Sequence, residues 1–119
     1  MKIAITSQGC EIDSRVDSRF GRAANFIIID IESGMWKCID NEQNINAAQG
    51  AGIQAAKHVI DAGAEALITG NVGPKAYRVL NENGIKIYIN AKGSVESSIE
   101  DFKNNRLECA GQATVEGHM

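Results

Sequence analysis

Three arginines, Arg15, Arg19 and Arg22, fall within eight residues in the run Arg15-Val16-Asp17-Ser18-Arg19-Phe20-Gly21-Arg22. A guanidinium carries a fixed fork of N–H donors on a permanently charged plane, which suits oxyanions and other bulky, diffuse anions. A second unusual run is Gly70-Asn71-Val72-Gly73-Pro74-Lys75. Glycines let backbone amides approach a ligand closely, and proline suits the first turn of a helix. This run therefore reads as a helix start whose free N–H groups and positive dipole end favour negative charge, with Lys75 adding a full charge. Gly50-Ala51-Gly52 opens another helix in a similar way. The GxxxxGK[ST] pattern of a nucleotide P-loop is absent. Architectural explanations stand beside these: Asp17 can cap a turn and pair with Arg19, Phe20 can plug the core, and glycines can serve turn geometry alone.

The other chemically capable residues are few. Cys10 lies in a long loop, where a soft thiolate can ligate metal, so it is the candidate metal ligand. Cys38 lies in an apolar strand pattern and reads as a small core residue. Cys109 and His118 fall in the tail, and His58 falls in mid-helix, where a structural or exposed role is the simpler one. Three cysteines cannot supply the four thiolates of an iron–sulfur cluster, and no zinc-type spacing occurs. There is no GxSxG, no HExxH and no Ser/His/Asp set to assemble from two histidines. A nuclease on this kind of sheet needs a carboxylate in its first strand, and Lys2–Thr6 has none. These counts point to a protein that binds rather than catalyses.

With 119 residues, 44% apolar and 23% charged, the chain has the size and composition of one globular domain. A net charge of −3 argues against general nucleic-acid binding but leaves room for a local anion site. The odd cysteine count without CxxC argues against a complete disulfide framework and fits a reducing compartment. The N-terminal apolar run is only Ile3-Ala4-Ile5, and no stretch approaches the roughly 20 apolar residues of a membrane helix. The expectation is a cytoplasmic protein with no membrane and no nucleic-acid partner.

The elements that must position the candidate residues follow from periodicity. Lys2–Thr6, Asn25–Asp30, Met35–Asp40, Glu65–Thr69 and Ile85–Ile89 read as strands, with a hairpin turn at Glu32-Ser33-Gly34. Gly50 to Ala62 reads as a helix facing inward through Ile53, Ala56, Val59 and Ile60 and stopping at Gly63. A second helix runs from Pro74 to Asn83, before Gly84. A third is capped by Ser94 and faces inward through Val95, Ile99 and Phe102. Strands apolar on consecutive residues belong inside a sheet, and alternating ones, Met35–Asp40 and Ile85–Ile89, belong nearer its edges. The expected fold is βββαβαβα: a three-layer, ribonuclease-H-like α/β fold with a five-stranded mixed sheet in the order 3-2-1-4-5. The domain is expected to span 1–103, with 104–119 as a flexible C-terminal tail. Ligands of open α/β sheets bind beyond the C-terminal ends of the parallel strands at a switch in strand order. Here that is where the segments after strands 1 and 4 leave the sheet.

The opening Met1–Thr6, the loop Val16–Asp30, the segment Gly50–Ala76 and the run Gly84–Tyr88 together resemble the dinitrogenase iron–molybdenum cofactor biosynthesis family, over roughly residues 1–103. The start Ser7-Gln8-Gly9-Cys10 is similar to that family's orange-protein branch, whose members carry molybdenum–copper sulfide clusters. The resemblance implies a ribonuclease-H-like fold, binding of a metal–sulfur cluster with few or no covalent ligands, and no turnover. It implies work beside cluster-assembly proteins or partner ATPases, and it points at Arg19, Phe20, Gly21 and Arg22 and at Gly70, Asn71, Gly73 and Pro74.

Two functions are set against each other. The first is a carrier or scaffold, monomeric or weakly dimeric, for an anionic cluster of molybdenum with copper or iron. Arg15, Arg19, Arg22, Lys75 and the Gly50, Gly52, Gly70 and Gly73 turns neutralise its charge, and Phe20 shields its sulfides from water. The alternative is a regulatory protein-interaction or phosphate/nucleotide-binding module that uses the same cradle.

Overall fold

A computed structural model describes residues 1–41 and 51–110. Strand β1 (Lys2–Ser7) is followed after a long loop by the hairpin of β2 (Asn25–Asp30) and β3 (Trp36–Asp40). Then come helix α1 (Ala51–Asp61), β4 (Ala66–Ile68), α2 (Pro74–Glu82), β5 (Lys86–Ile89), α3 (Val95–Lys103) and β6 (Glu108–Cys109). One mixed sheet has the order β3-β2-β1-β4-β5-β6. β1, β4 and β5 are mutually parallel, while β2, β3 and β6 each run antiparallel to their neighbours.

Alternation along each strand feeds two apolar layers. Ala4, Phe26, Ile28, Leu67 and Ile87 face α1 and α2, whose contribution is Ala55, Ala56, Val59, Ala76 and Leu80. Ile3, Ile5, Ile27, Ile29 and Ile68 face α3, which contributes Val95 and Ile99. Because both faces of β1, β2 and β4 are covered, these strands are apolar on consecutive residues. Gly63 and Gly84 follow α1 and α2 with φ of +80° and +75°, the left-handed turn that ends a helix at no steric cost.

The structure departs from the expected fold in four places. The sheet has six strands rather than five, because β6 pairs with β5 at Tyr88↔Cys109 and Ile89↔Glu108. β5 therefore lies inside the sheet, and the sheet reaches Cys109, past the expected end of the strands and helices at 103; 111–119 lie outside the described residues. The reversal after α3 uses Asn105 at φ 56°, a left-handed position that asparagine tolerates, and the Arg106 N–H donates to the Asp101 carbonyl at 2.8 Å. Two polar residues show no alternation to read in advance. Third, α1 buries Ala51, Ala55, Ala56 and Val59, while Ile53 and Ile60 are only partly covered. The face has rotated onto alanines because α1 and α2 approach too closely for larger side chains: a Cβ on Gly52 would sit 3.2 Å from the Ala76 Cβ.

Fourth, Cys10 and Cys38 form a disulfide, with Cα atoms 5.4 Å apart and 28 residues of separation. The cysteine count therefore no longer argues for a reducing compartment, and Cys38 is a bridge residue at the rim of the core rather than a free core thiol. Among the described residues no helix is long and apolar enough to cross a membrane. Closing a loop of this length restricts the unfolded chain by about 3–4 kcal/mol on the chain-entropy account. The double variant Cys10→Ser/Cys38→Ser is expected to lose about that much stability in urea unfolding with its circular dichroism spectrum unchanged.

Candidate functional site

The loop between β1 and β2 passes over the C-terminal ends of the parallel strands, from the α3 face of the sheet to the α1–α2 face. Its first part, residues 8–15, is an ear closed by the Gln8 N–H donating to the Arg15 carbonyl at 2.9 Å. Ile12 and Val16 pack on the α3 side. The ear also serves α3 directly: the Val95 and Glu96 N–H groups donate to the Ser14 and Ile12 carbonyls at 2.8 and 2.9 Å. These are first-turn donors that a helix cannot satisfy itself.

Asp17 turns the loop across the sheet. Its backbone N–H donates to the Thr6 carbonyl at 2.9 Å, and Thr6 Oγ1 hydrogen-bonds the Asp17 carbonyl at 2.6 Å while lying 3.0 Å from Thr69 Oγ1. The buried Asp17 carboxylate accepts the Arg19 N–H at 3.1 Å and the Ala24 N–H at 3.3 Å, which closes residues 17–24 into a tight arch. A carboxylate held by backbone donors in this way fixes a turn.

The arch is zipped to the end of β4. The Asn71 N–H donates to the Ser18 carbonyl at 2.8 Å, and the Phe20 N–H donates to the Asn71 carbonyl at 3.2 Å. These two bonds make a parallel bridge between Arg19 and Asn71. Only glycine fits at position 70, where a Cβ would lie 2.7 Å from both the Ser18 Cα and carbonyl oxygen. On the other flank of the arch, a Cβ on Gly21 would sit 3.0 Å from the Gly52 nitrogen at the start of α1. Gly21, Gly52, Gly70 and Asn71 thus belong to one contiguous rim, and the starts of α1 and α2 adjoin beneath it.

Arg19 stands exposed on this rim. Its Nε lies 3.6 Å from Asp17 Oδ1, with 64% of the Arg19 side chain exposed against 7% for Asp17. Its Nη2 lies 3.5 Å from the Arg22 carbonyl. An ion pair this open contributes at most about 1 kcal/mol, so the guanidinium remains available to a guest. Arg22 is half-buried one residue beyond Gly21. Helix α2 begins at Gly73 without a side-chain cap, Pro74 occupies its first turn, and Lys75 is exposed beside it. Uncapped first-turn N–H groups with cations nearby form a site for anions.

Three of the sequence candidates fall elsewhere. Phe20 is 2% exposed, packs its ring 5.6 Å from that of Phe26 and belongs to the α1–α2 core. It anchors the arch from below and cannot shield a guest at the surface. Arg15 is bridged to Ser94 on the α3 side, away from Arg19. Cys10 has its sulfur in the disulfide and sits on the ear, so it is no metal ligand in this state. Gly50 lies outside the described residues. No group of three or more His, Cys, Asp or Glu is placed to hold a metal ion among the described residues.

Sequence reasoning passed over the residues that seat the far end of the arch. Asn41 is fully buried; its backbone N–H donates to the Ala24 carbonyl at 2.9 Å, and its Nδ2 donates to the Ala23 carbonyl at 2.8 Å. Its Oδ1 lies 3.1 Å from His58 Nδ1, and since that oxygen only accepts, the ring nitrogen is the donor. His58 is a structural mid-helix histidine. No periodicity marks Asn41, which follows a strand and pairs with residues 17 and 18 positions earlier in the chain.

Sheet order, helix placement and rim define a small α/β domain with a cationic edge at the C-terminal ends of its parallel strands. The family model described as dinitrogenase iron-molybdenum cofactor matches residues 1–105, and the chain belongs to that family. An uncharacterised protein of Methanocaldococcus jannaschii is 32% identical over 111 residues, covering 91% of this chain and 94% of the relative. The apo form of the orange protein from Desulfovibrio gigas superposes with a TM-score of 0.93 at 35% identity, covering 96% of each chain. The NMR structure of a Thermotoga protein described as a candidate NifB protein gives 0.84 at 37% identity, covering 96% of this chain and 97% of that one.

Two substitutions test the architecture of the rim. Phe20→Ala is expected to cost about 3–5 kcal/mol in denaturant unfolding, because it empties a core site. Gly70→Ala drives a methyl group into the backbone of Ser18 and is expected to cost about 1–3 kcal/mol. It should also raise amide hydrogen exchange selectively at Phe20 and Asn71, the two N–H groups of the zipper.

Proposed function

We propose that this protein is a non-catalytic carrier or scaffold for an anionic metal–sulfur cluster, of molybdenum with copper or iron, held on the rim by Arg19, Arg22, Lys75 and the backbone around Gly21, Gly52, Gly70, Asn71 and Gly73. The observation that carries the reading is the zipper of residues 18–20 onto Asn71, which sets Arg19 beside Asn71, two residues before α2 starts at Gly73 without a side-chain cap. Family membership and the likeness to the orange protein support it. A sulfide-bridged cluster is bulky, soft and negative. Guanidinium groups and first-turn amides can bind such a guest by charge and hydrogen bonding without a covalent ligand. The donor set fits on that count: cations and amides line the rim, and no thiolate is required. We read the fold as ribonuclease-H-like, the protein as cytoplasmic, and its partners as cluster-assembly proteins or partner ATPases.

Arg15 falls outside the proposed contact set because of its place beside Ser94, as do Phe20 because it is buried and Cys10 because of its disulfide. Reconstitution under anaerobic conditions with thiomolybdate plus copper or iron is expected to give a coloured protein that keeps its metal through gel filtration. A colourless, metal-free protein rejects the proposal. A thermal shift with nucleotides or phosphate but none with metallates favours the phosphate-module alternative. In the double variant Arg19→Ala/Arg22→Ala, retention is expected to fall at least about tenfold, as loss of charge-assisted hydrogen bonds predicts. Its unfolding free energy should stay within about 1 kcal/mol of the parent.

A further inference from the structure

The Cys10–Cys38 bond joins two parts of the structure that otherwise depend on different contacts. Cys10 is an exposed residue of the ear, and Cys38 is a half-covered residue of β3, the outermost strand of the sheet. The ear's backbone hydrogen bonds reach α3, through Ile12 and Ser14, and its own base, through Gln8 and Arg15. The disulfide extends its hold to the opposite end of the sheet. Cys38 and Ile12 each pack against the border of the α3-side core, so the bond lies on that face, apart from the glycine contacts beneath the rim. The bridge therefore clamps the ear from outside and leaves the fold to two well-filled apolar layers.

Position decides how such a bond reacts. Attack by a thiolate must come in line with the S–S axis at an accessible sulfur, and exposed disulfides are the ones that exchange. The exposed end is Cys10; the end that gains cover from the sheet is Cys38. Cys38, partly covered by the α3-side core, is the less accessible sulfur and therefore the one that leaves.

We propose that the Cys10–Cys38 pair is a reversible thiol–disulfide exchange site, opened by a small thiol or dithiol reductant that attacks Cys10. The reductant thiolate forms a bond to Cys10 Sγ, the Sγ–Sγ bond breaks, and Cys38 leaves as a thiolate that takes a proton from water. A second reductant thiolate then attacks the reductant's own sulfur in the mixed disulfide and frees Cys10. Two electrons enter the protein, and two reductant thiols become one disulfide. Opening the bond leaves the ear held by its α3 contacts and its base, so residues 8–14 and the β3 edge loosen while both apolar layers persist. The site is independent of the cluster reading and stands or falls separately from it.

Trp36, the single tryptophan, lies two residues from Cys38 and so on the same face of β3, which makes its emission a native reporter of the nearby disulfide. The folded full-length protein is equilibrated with glutathione buffers from fully oxidised to a large excess of the reduced form. It is then quenched with an alkylating agent and mapped by mass spectrometry. The expected result is that Cys10 and Cys38 become alkylated together in the reducing buffers, with a parallel rise in Trp36 emission and faster amide exchange confined to residues 8–14 and β3. The exposed Cys109 has no partner cysteine, so it should carry glutathione in the oxidising buffers and label in the reducing ones independently of the pair. A bond that persists in the folded protein at the largest excess of reduced glutathione, opening only with global unfolding, overturns the proposal. The direction of attack is read by acid-quenching early in the reduction and mapping the mixed disulfide by mass spectrometry: glutathione is expected on Cys10 at least about tenfold over Cys38, and equal or reversed proportions overturn the proposal.

Discussion

The rim depends on two backbone hydrogen bonds, from the Asn71 N–H to the Ser18 carbonyl and from the Phe20 N–H, two residues on, to the Asn71 carbonyl. They convert a long loop, which by itself has no reason to sit anywhere, into a short continuation of the sheet beyond β4. Everything around them serves that contact. Gly70 removes the side chain that would hold the two segments apart, the Asp17 carboxylate folds the arch to the right length, and Phe20 pins it from inside. Asn41, backed by His58, holds the returning limb. Exposed charges such as Arg19 add little stability, so the scaffold beneath the rim has to supply its rigidity.

The same loop does two jobs on the two faces of the sheet. On the α3 face the ear satisfies the first N–H groups of a helix and is clamped to β3 by the disulfide. On the α1–α2 face the arch meets the start of α1 at Gly52 and the end of β4 at Gly70, and it presents Arg19. Apolar anchors separate the two, Val16 facing one layer and Phe20 the other. A loop spanning both faces in this way is costly in backbone entropy. The density of its internal and sheet-directed hydrogen bonds explains how it holds a single path.

Much of this was legible in residue order. Consecutive apolar residues in Ile3-Ala4-Ile5 and Phe26–Ile29 place β1 and β2 inside a sheet because both of their faces must be covered, and the hairpin turn and helix stops carry glycine where φ is positive. The family resemblance rested on pieces in their proper order, and the match over 1–105 bears it out. The cation and glycine content of the two segments singled them out because chemistry of that kind is written in residue types, and the structure brings the two segments together at Arg19 and Asn71. Less visible were β6, too short and polar to show a period, and the alanine face of α1, set by how closely a neighbouring helix approaches.

What the amino-acid sequence determined alone was the strands and helices other than β6, their order in the sheet as far as β5, and which residues carry the charge, since periodicity and side-chain chemistry are local properties. Only the tertiary structure decided which of those residues meet. It put Arg19 at Asn71 and Gly21 at Gly52, sent Arg15 to the α3 side, buried Phe20, and joined Cys10 to Cys38 across 28 residues of chain. The reason is that a loop's path is fixed by partners distant in sequence, and no spacing rule along the chain encodes a contact that exists only once the sheet has formed.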